Sequence, residues 1–345
     1  MWPPARGGWR PPLRRAGLGA GAALAPERAA AVAAEAGVRA DPIEDLLAAE
    51  DIDLVINLTV PAVHAEVSLQ VLAAGKQVYS EKPLAADVAS GARVMAASDT
   101  TGRWVGCAPD TVLGVGLQTA RKVIDDGVIG RPLAATATMV TPGHERWHPN
   151  PDFYYQAGGG PLLDMGPYYV TALVHLLGPV VSVTASASRM RDERVIGSGD
   201  RAGQVIPVDV MTHVTGVLTH AGGALSTLIM SFDAVATRSA NIEVHGETGS
   251  MVVPDPNDFD GDVLVRALGD AEWTLQEPSA GYRDAGRGVG VHDRAIAGDG
   301  ARASGELGLH VLEIMESVLR AADEGCTVEV TSTCERPAPV PLQGL

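Results

Sequence analysis

Residues 53–83 read DLVINLTVPAVHAEVSLQVLAAGKQVYSEKP. The stretch opens on a short apolar run, 53–59, bounded by turn-formers, as a parallel strand buried on both faces requires. His64 to Ala74 has helical spacing and stops at Gly75. KQVYS (76–80) reads as a second strand, and Glu81-Lys82-Pro83 leaves it. Ala85 to Ala97 is helical again and WVGCA (104–108) is the next strand. Strands alternating with helices at this interval predict a doubly wound parallel sheet.

Upstream, PERAAAVAAEAG (26–37) predicts an alanine-rich helix with Pro26 in its first turn and Gly37 past its end. A short strand near Val38 and a helix opened by Asp41 as N-cap follow. Downstream the pattern changes. After a helix at 115–126, strands dominate: 132–140, 180–189, a hairpin over 211–232, a second over 241–254, and weaker strands near 263–267 and 272–276. A last helix runs from Glu306 to Asp323 and stops before Gly325. The second domain is therefore predicted as α+β, with a large, mostly antiparallel sheet covered by helices on one face.

Composition narrows the function classes. The chain has 26 basic and 42 acidic residues, and the first 24 residues hold four arginines and no acid. The remainder is so acidic that it repels phosphate backbones, which argues against a nucleic-acid partner. No run is long and apolar enough for a membrane span. Cys107, Cys326 and Cys334 are scattered, without metal or disulfide spacing, and read as reduced thiols of a cytoplasmic protein.

Ligands of open parallel sheets bind beyond the carboxyl ends of the strands. Asn57, Thr59 and Pro61 leave one strand at that edge, and Glu81-Lys82-Pro83 leaves the next. A lysine there can hold a ribose or carbonyl oxygen or donate a proton, or it can be a solvated residue before a turn. In GGGPLLDMGPYYVTALVHLLG (158–178), three glycines precede a helix that begins at Pro161. Asp164 and Tyr168 are four apart on one face, with His175 two turns further. An acid beside a phenol can assist proton transfer, or Asp164 can simply stabilise the helix N-terminus while the others pack. Of 14 aromatic residues, six (Trp147, Phe153, Tyr154, Tyr155, Tyr168, Tyr169) fall between 147 and 169, which suggests a pocket wall. His144-Glu145-Arg146-Trp147-His148 matches the HExxH zinc pattern, but Pro142-Gly143 before it and Pro149 and Pro151 after it argue against the sustained helix that pattern needs, so no metal is expected.

Read together, INLTVPAVHAEVSLQVLAAGKQVYSEKPLA and GGGPLLDMGPYYVTALVHLLG resemble the glucose–fructose oxidoreductase and inositol dehydrogenase (Gfo/Idh/MocA) family, from about Pro26 to Pro337. The resemblance implies a Rossmann domain, then an α+β domain whose open sheet supports homo-oligomers. It also implies NAD- or NADP-dependent oxidation or reduction of a sugar, polyol or related carbonyl. Lys82 matches the catalytic and ribose-binding lysine, with Glu81 as its cofactor-contacting neighbour. Thr59, Pro61 and His64 match the cofactor-side turn, which Asn57 opens. Asp164 matches the acid of D-x-G-x-H, and Tyr168 stands in the histidine's place, as in members where tyrosine is the proton donor or acceptor. A later family acid falls on Thr171. Asp110 lies where an arginine is often found, and Asp110, Trp147, His148, Tyr155 and His175 are the candidate substrate-binding residues.

The front departs from the family. Gly17-Leu18-Gly19-Ala20-Gly21-Ala22 superficially fits the G-x-G-x-x-A turn. The preceding WRPPLRRA has two prolines and three arginines and cannot be a buried parallel strand, so we expect a false fingerprint and a missing or scrambled first βαβ unit. Out-of-frame or mis-started sequence explains residues 1–24, and a twin-arginine export signal is the competing reading. The expected division is an aberrant segment 1–24, a Rossmann-type domain 25–110 and an α+β domain 111–338. A cofactor-poor binding or scaffold relative is the alternative function.

Overall fold

The computed structural model describes residues 17–345. The chain forms two compact units, one of residues up to Ala108 together with Arg287–Gly308, the other of Pro109–Gly286 and Leu309–Leu345.

In the first unit, β1 (Ala20–Gly21) precedes α1 (Pro26–Ala36), and β2 (Arg39–Ala40) pairs with β1 in parallel. Gly37 closes α1 in the left-handed conformation, as its place in the sequence predicts. α2 (Ile43–Ala48) follows Pro42 without a side-chain cap, and the expected cap residue Asp41 binds Arg39 instead. Then β3 (Leu54–Asn57), α3 (His64–Ala73), β4 (Gln77–Ser80), α4 (Val88–Thr101) and β5 (Val105–Cys107) alternate, and the strands form a parallel sheet in the order β3-β4-β5. α4 starts later than Ala85 because the Asp87 carboxylate accepts the Ser90 N–H at 2.7 Å and fixes the N-cap there. β1 lies ahead of residue 25, the expected start of this domain. β1 and β2 nevertheless form a sheet of their own and add no strand to β3-β4-β5. Of the expected aberrant segment 1–24, residues 1–16 lie outside the described residues.

The second unit opens with α5 (Val115–Asp125), β6 (Pro132–Val140), α6 (Pro161–Leu177) and β7 (Val180–Ser188). A small antiparallel pair, β8 (Glu193–Val195) and β9 (Val205–Pro207), follows. Next come the hairpins β10 (His213–His220) with β11 (Leu225–Ser231), and β12 (Ile242–Gly246) with β13 (Gly249–Val253). β14 (Val263–Ala267), β15 (Thr274–Gln276) and β16 (Tyr282–Arg283) complete this stretch. α7 (Val289–Ala297), which periodicity did not reveal, lies in the first unit, so the division is not the single cut at 110 expected from sequence. α8 (Gly305–Glu324), β17 (Val328–Glu329) and β18 (Gln343–Gly344) end the chain.

Nine strands form one sheet in the order β15-β14-β13-β12-β6-β11-β10-β7-β17. All its neighbours are antiparallel except β6 and β11, whose connection contains α6 and is long enough for a crossover. α6 is buried along nearly its whole length, and each buried leucine-sized side chain stabilises by about 1.5–3 kcal/mol. A Cβ on Gly166 would come within 2.9 Å of the Met315 sulfur, so glycine lets α6 pack closely there. Residues 339–345, beyond the expected end of the domain, are held in it: β18 pairs with β16, and the Val340 N–H donates to Gln118.

Two titratable groups on α8 pin distant chain. The Val180 N–H donates to His310 Nε2, so Nδ1 carries the proton and donates to Ser332. Burial pushes His310 down to about 4. Burial works against ionised Glu313, but hydrogen bonds from Ser332 and Thr331 outweigh it and hold this carboxyl at about 2. Both folded values lie below the unfolded ones, about 6.5 and 4.3. Each group's contribution is therefore complete above its unfolded value and lost as pH falls through its folded value. Stability is expected to decline first from His310 and then from Glu313. In melting curves against pH, His310→Gln should flatten the upper part of the acid limb and Glu313→Gln the lower part. Acid limbs identical to the parent's in both variants would contradict this.

Candidate active site

In the first unit, the loops after β3 and β4 are tied together side chain by side chain. Asn57, buried at the end of β3, donates through Nδ2 to the His64 carbonyl (3.0 Å) and to Ser68 (3.3 Å). Its Oδ1 accepts from the Thr59 N–H and hydroxyl. The Glu81 N–H donates to the Asn57 carbonyl, and the Glu81 carboxylate accepts the Lys82 N–H at 3.0 Å. His64 is buried with Nδ1 2.7 Å from the Pro83 carbonyl and Nε2 3.0 Å from the Thr59 carbonyl. The Lys82-Pro83 bond is cis.

Asn57, Thr59, His64, Glu81 and Lys82 therefore do come together. The polar side-chain atoms of Asn57 and His64 are directed to protein groups inside the turn. These two shape the loops. Thr59 and Pro61 remain exposed, and Glu81 and Lys82 are half-buried. The glycines at 17–21 do not form a nucleotide turn. Gly21 lies within β1, and α1 begins at Pro26 after Ala25 rather than after a glycine. Thr59, Pro61, Glu81 and Lys82 keep surface accessible at the strand ends, where the expected nicotinamide dinucleotide would lie. Among the described residues of this unit, no glycine-rich turn leads a strand into a helix N-terminus to seat its pyrophosphate.

In the second unit, Gly158 and Gly160 adopt positive φ (88° and 91°), and Gly160 caps α6 at its start. Asp164 lies in the first turn and keeps part of its carboxylate accessible. His144 Nδ1 stands 3.4 Å from its Oδ2. The His144 ring packs on Trp147, Tyr154 and Phe232, and His148 packs on Trp147, Phe153 and Tyr154. Burial, with Asp164 and Tyr168 nearby, pushes the Tyr154 phenol up, so it stays protonated. His148 Nδ1 accepts the Asn150 N–H, and burial pulls this histidine's pKa down. Tyr168, one turn beyond Asp164, is buried. Residues 144–146 form only a single 3-10 turn, which is not the helix of a zinc peptidase. Among the described residues no group of three or more His, Cys, Asp or Glu is gathered as for a metal ion.

Of the substrate-side expectations, Trp147 is exposed and His148 joins the aromatic cluster beside Asp164. Asp110 is buried before the turn Thr111–Leu113. Tyr155 and His175 are not brought to the surface with them, and neither is exposed at all. The Tyr155 hydroxyl donates to Glu145, and its ring lies under the Arg194 guanidinium. His175 is bonded to Gln118 in the core, while its carbonyl accepts from Arg121 and Arg336. The helical step that places His175 on the Asp164 face takes it too far down α6 to leave the core. His144 and Tyr154 are the residues that sequence reasoning missed as partners of Asp164. The only signal was the proline-flanked HExxH stretch. An open depression of about 500 Å³ is lined by Arg146, Arg191, Glu193 and Arg194 among others, without Asp164 or Tyr168.

Residues 18–108 match the family model described as oxidoreductase family, NAD-binding Rossmann fold, so the match starts ahead of Pro26. Residues 117–252 match the GFO/IDH/MocA C-terminal domain. The chain is 28% identical over 317 residues to a 1,5-anhydro-D-fructose reductase from Ensifer adhaerens, covering 88% of both chains. It is 30% identical over 229 residues to an inositol 2-dehydrogenase from Rhizobium meliloti (strain 1021), or 66% of this chain and 64% of that one. In fold it is similar to an NAD binding oxidoreductase from Klebsiella pneumoniae, with TM-score 0.79 and 23% identity over 91% and 90% of the two chains. It is also similar to levoglucosan dehydrogenase in complex with NADH and levoglucosan, with TM-score 0.75 and 23% identity over 90% of each. With both domains of one family matched in order along most of its length, this chain belongs to the Gfo/Idh/MocA family of oxidoreductases.

Proposed function

We propose that the chain moves a hydride between a nicotinamide dinucleotide and a carbinol or carbonyl carbon of a sugar, polyol or related compound. The observation that carries this reading is the fixed Lys82 loop. Asn57, Glu81 and His64 each hold backbone on either side of a lysine at the carboxyl end of β4. The nicotinamide, when bound, supplies or accepts the hydride. Lys82 holds a ribose hydroxyl or the reacting oxygen through its ammonium. Tyr168 gives or takes the hydroxyl proton, with Asp164 one turn earlier on the same helix to favour the transfer. Thr59, Pro61 and Glu81 line the cofactor side. Trp147 and His148 offer ring faces and edges suited to a carbohydrate. Two of the relatives are named for an anhydro sugar and for inositol, which supports that substrate class.

Leu133, Val181, Val217, Leu225 and Leu275 are exposed on strands of the nine-stranded sheet, in keeping with a homo-oligomer formed through it. The acidic body supports no nucleic-acid partner, and no described helix is long and apolar enough to cross a membrane. The cytoplasm suits such a protein.

A second reading is favoured by one observation. Among the described residues no glycine turn seats a pyrophosphate, as in a cofactor-poor scaffold relative. Titration of the chain into NADH and NADPH, followed by cofactor fluorescence, separates the two. Saturable binding with light scattering above the monomer mass is expected. No binding at any concentration supports the scaffold, and a monomer removes the sheet interface.

A further inference from the structure

The D-x-G-x-H spacing would supply an imidazole beside Asp164 from position 168, where this chain has Tyr168. The fold supplies one from elsewhere. His144, twenty residues upstream in sequence, brings Nδ1 to 3.4 Å from the Asp164 carboxylate. Its ring is wedged by Phe232 at 4.4 Å, Tyr154 at 4.7 Å and Trp147 at 5.2 Å between centroids, so few ring orientations are open to it. We propose that His144 is a positioning residue that orients the Asp164 carboxylate for the Tyr168 hydroxyl.

This inference rests on the proposed roles of Asp164 and Tyr168 and names what governs them. At this distance an imidazole N–H and a carboxylate oxygen attract each other, most strongly when both groups are charged. Several other polar groups near the ring have partners of their own. Tyr154 faces it as a phenol from the turn 152–154. The Glu145 carboxylate, next in sequence, binds Tyr155 and Arg194. Asp233, beside Phe232, binds Arg194 and Thr212. His148 donates its N–H to the His144 carbonyl and directs its ring to Phe153 and Tyr154. Asp164 is therefore the acid that His144 has for a partner among these residues.

Two substitutions separate packing from charge. His144→Phe keeps a ring against Trp147, Tyr154 and Phe232, and His144→Asn keeps a donor near Nδ1 that does not titrate. Both should melt near the parent and bind cofactor as it does. His144→Phe should lower kcat tenfold or more with little change in the cofactor KM. His144→Asn should recover part of that loss and flatten the acid side of the kcat–pH profile.

An independent readout needs no substrate. In ¹⁵N-histidine NMR, with the His144 signal assigned by its loss in His144→Phe, Asp164→Asn should move the His144 titration midpoint to lower pH. A midpoint that Asp164→Asn leaves in place overturns the proposal, and so does a parental kcat–pH profile in both His144 variants. A parent chain that turns over no sugar or polyol counts against the proposed function instead, and the NMR titration alone then decides the His144–Asp164 pairing.

Discussion

Lys82→Ala is expected to lower kcat/KM by about 10²–10⁴-fold, the range for a group that handles a proton in the transition state, while the protein melts close to the parent. The expectation follows from what holds the loop. The Glu81 N–H is bound to Asn57, the Lys82 N–H to the Glu81 carboxylate, and the Pro83 carbonyl to His64. These contacts use backbone at residues 81–83 and survive loss of the Lys82 side chain. Paired measurements of specific activity and melting temperature give the check. A large drop in melting temperature with activity preserved means that Lys82 is a structural lysine.

Arg194→Met is expected to give the largest loss of stability, about 3–5 kcal/mol, as for removal of one partner from a buried ion pair. The Arg194 side chain is 2% exposed between Glu145 (5%) and Asp233 (19%), and it also donates to the carbonyls of Pro142 and Phe232. Without it, Glu145 keeps a buried carboxylate with the Tyr155 hydroxyl as its remaining side-chain donor, beneath the ring face that Arg194 covered. Because this network anchors the chain on both sides of His144, activity should fall with stability. Adding Glu145→Gln to Arg194→Met should recover part of the loss, since the stranded charge is gone. Urea unfolding gives the check, and a single-variant loss below about 1 kcal/mol would place the pair among weakly contributing surface bridges.

The sequence is most informative where one local rule applies. The alternation through 53–108 gives the three parallel strands, and the Glu-Lys-Pro motif falls at the end of β4, where the structure has it. Gly37 and Gly160 end and begin helices as their positions require. The failures come where side chains compete or distance intervenes. Asp41 pairs with Arg39 instead of capping, whereas Asp87 caps α4 without having been recognised. Helical phase put His175 on the face of Asp164 but could not show that α6 is buried along that length. Tyr155 belongs to a run of aromatics, yet Glu145 and Arg194, far apart in sequence, commit it to the core. The His144–Asp164 pair arises from the loop before α6 and has no periodic signature. The family resemblance supplied the roles of Lys82, Asp164 and Tyr168, which spacing alone left open between chemistry and packing.

The proposed hydride transfer depends on Lys82 and Tyr168. The most direct measurement is formation of reduced cofactor from NAD⁺ or NADP⁺ over a panel of sugars and polyols, with the parent, Lys82→Ala and Tyr168→Phe run side by side. The account predicts turnover by the parent on at least one carbohydrate, and near-complete loss in both variants while each still binds the reduced cofactor. A parent that binds no dinucleotide and reduces none, or variants that turn over at the parental rate, would contradict it.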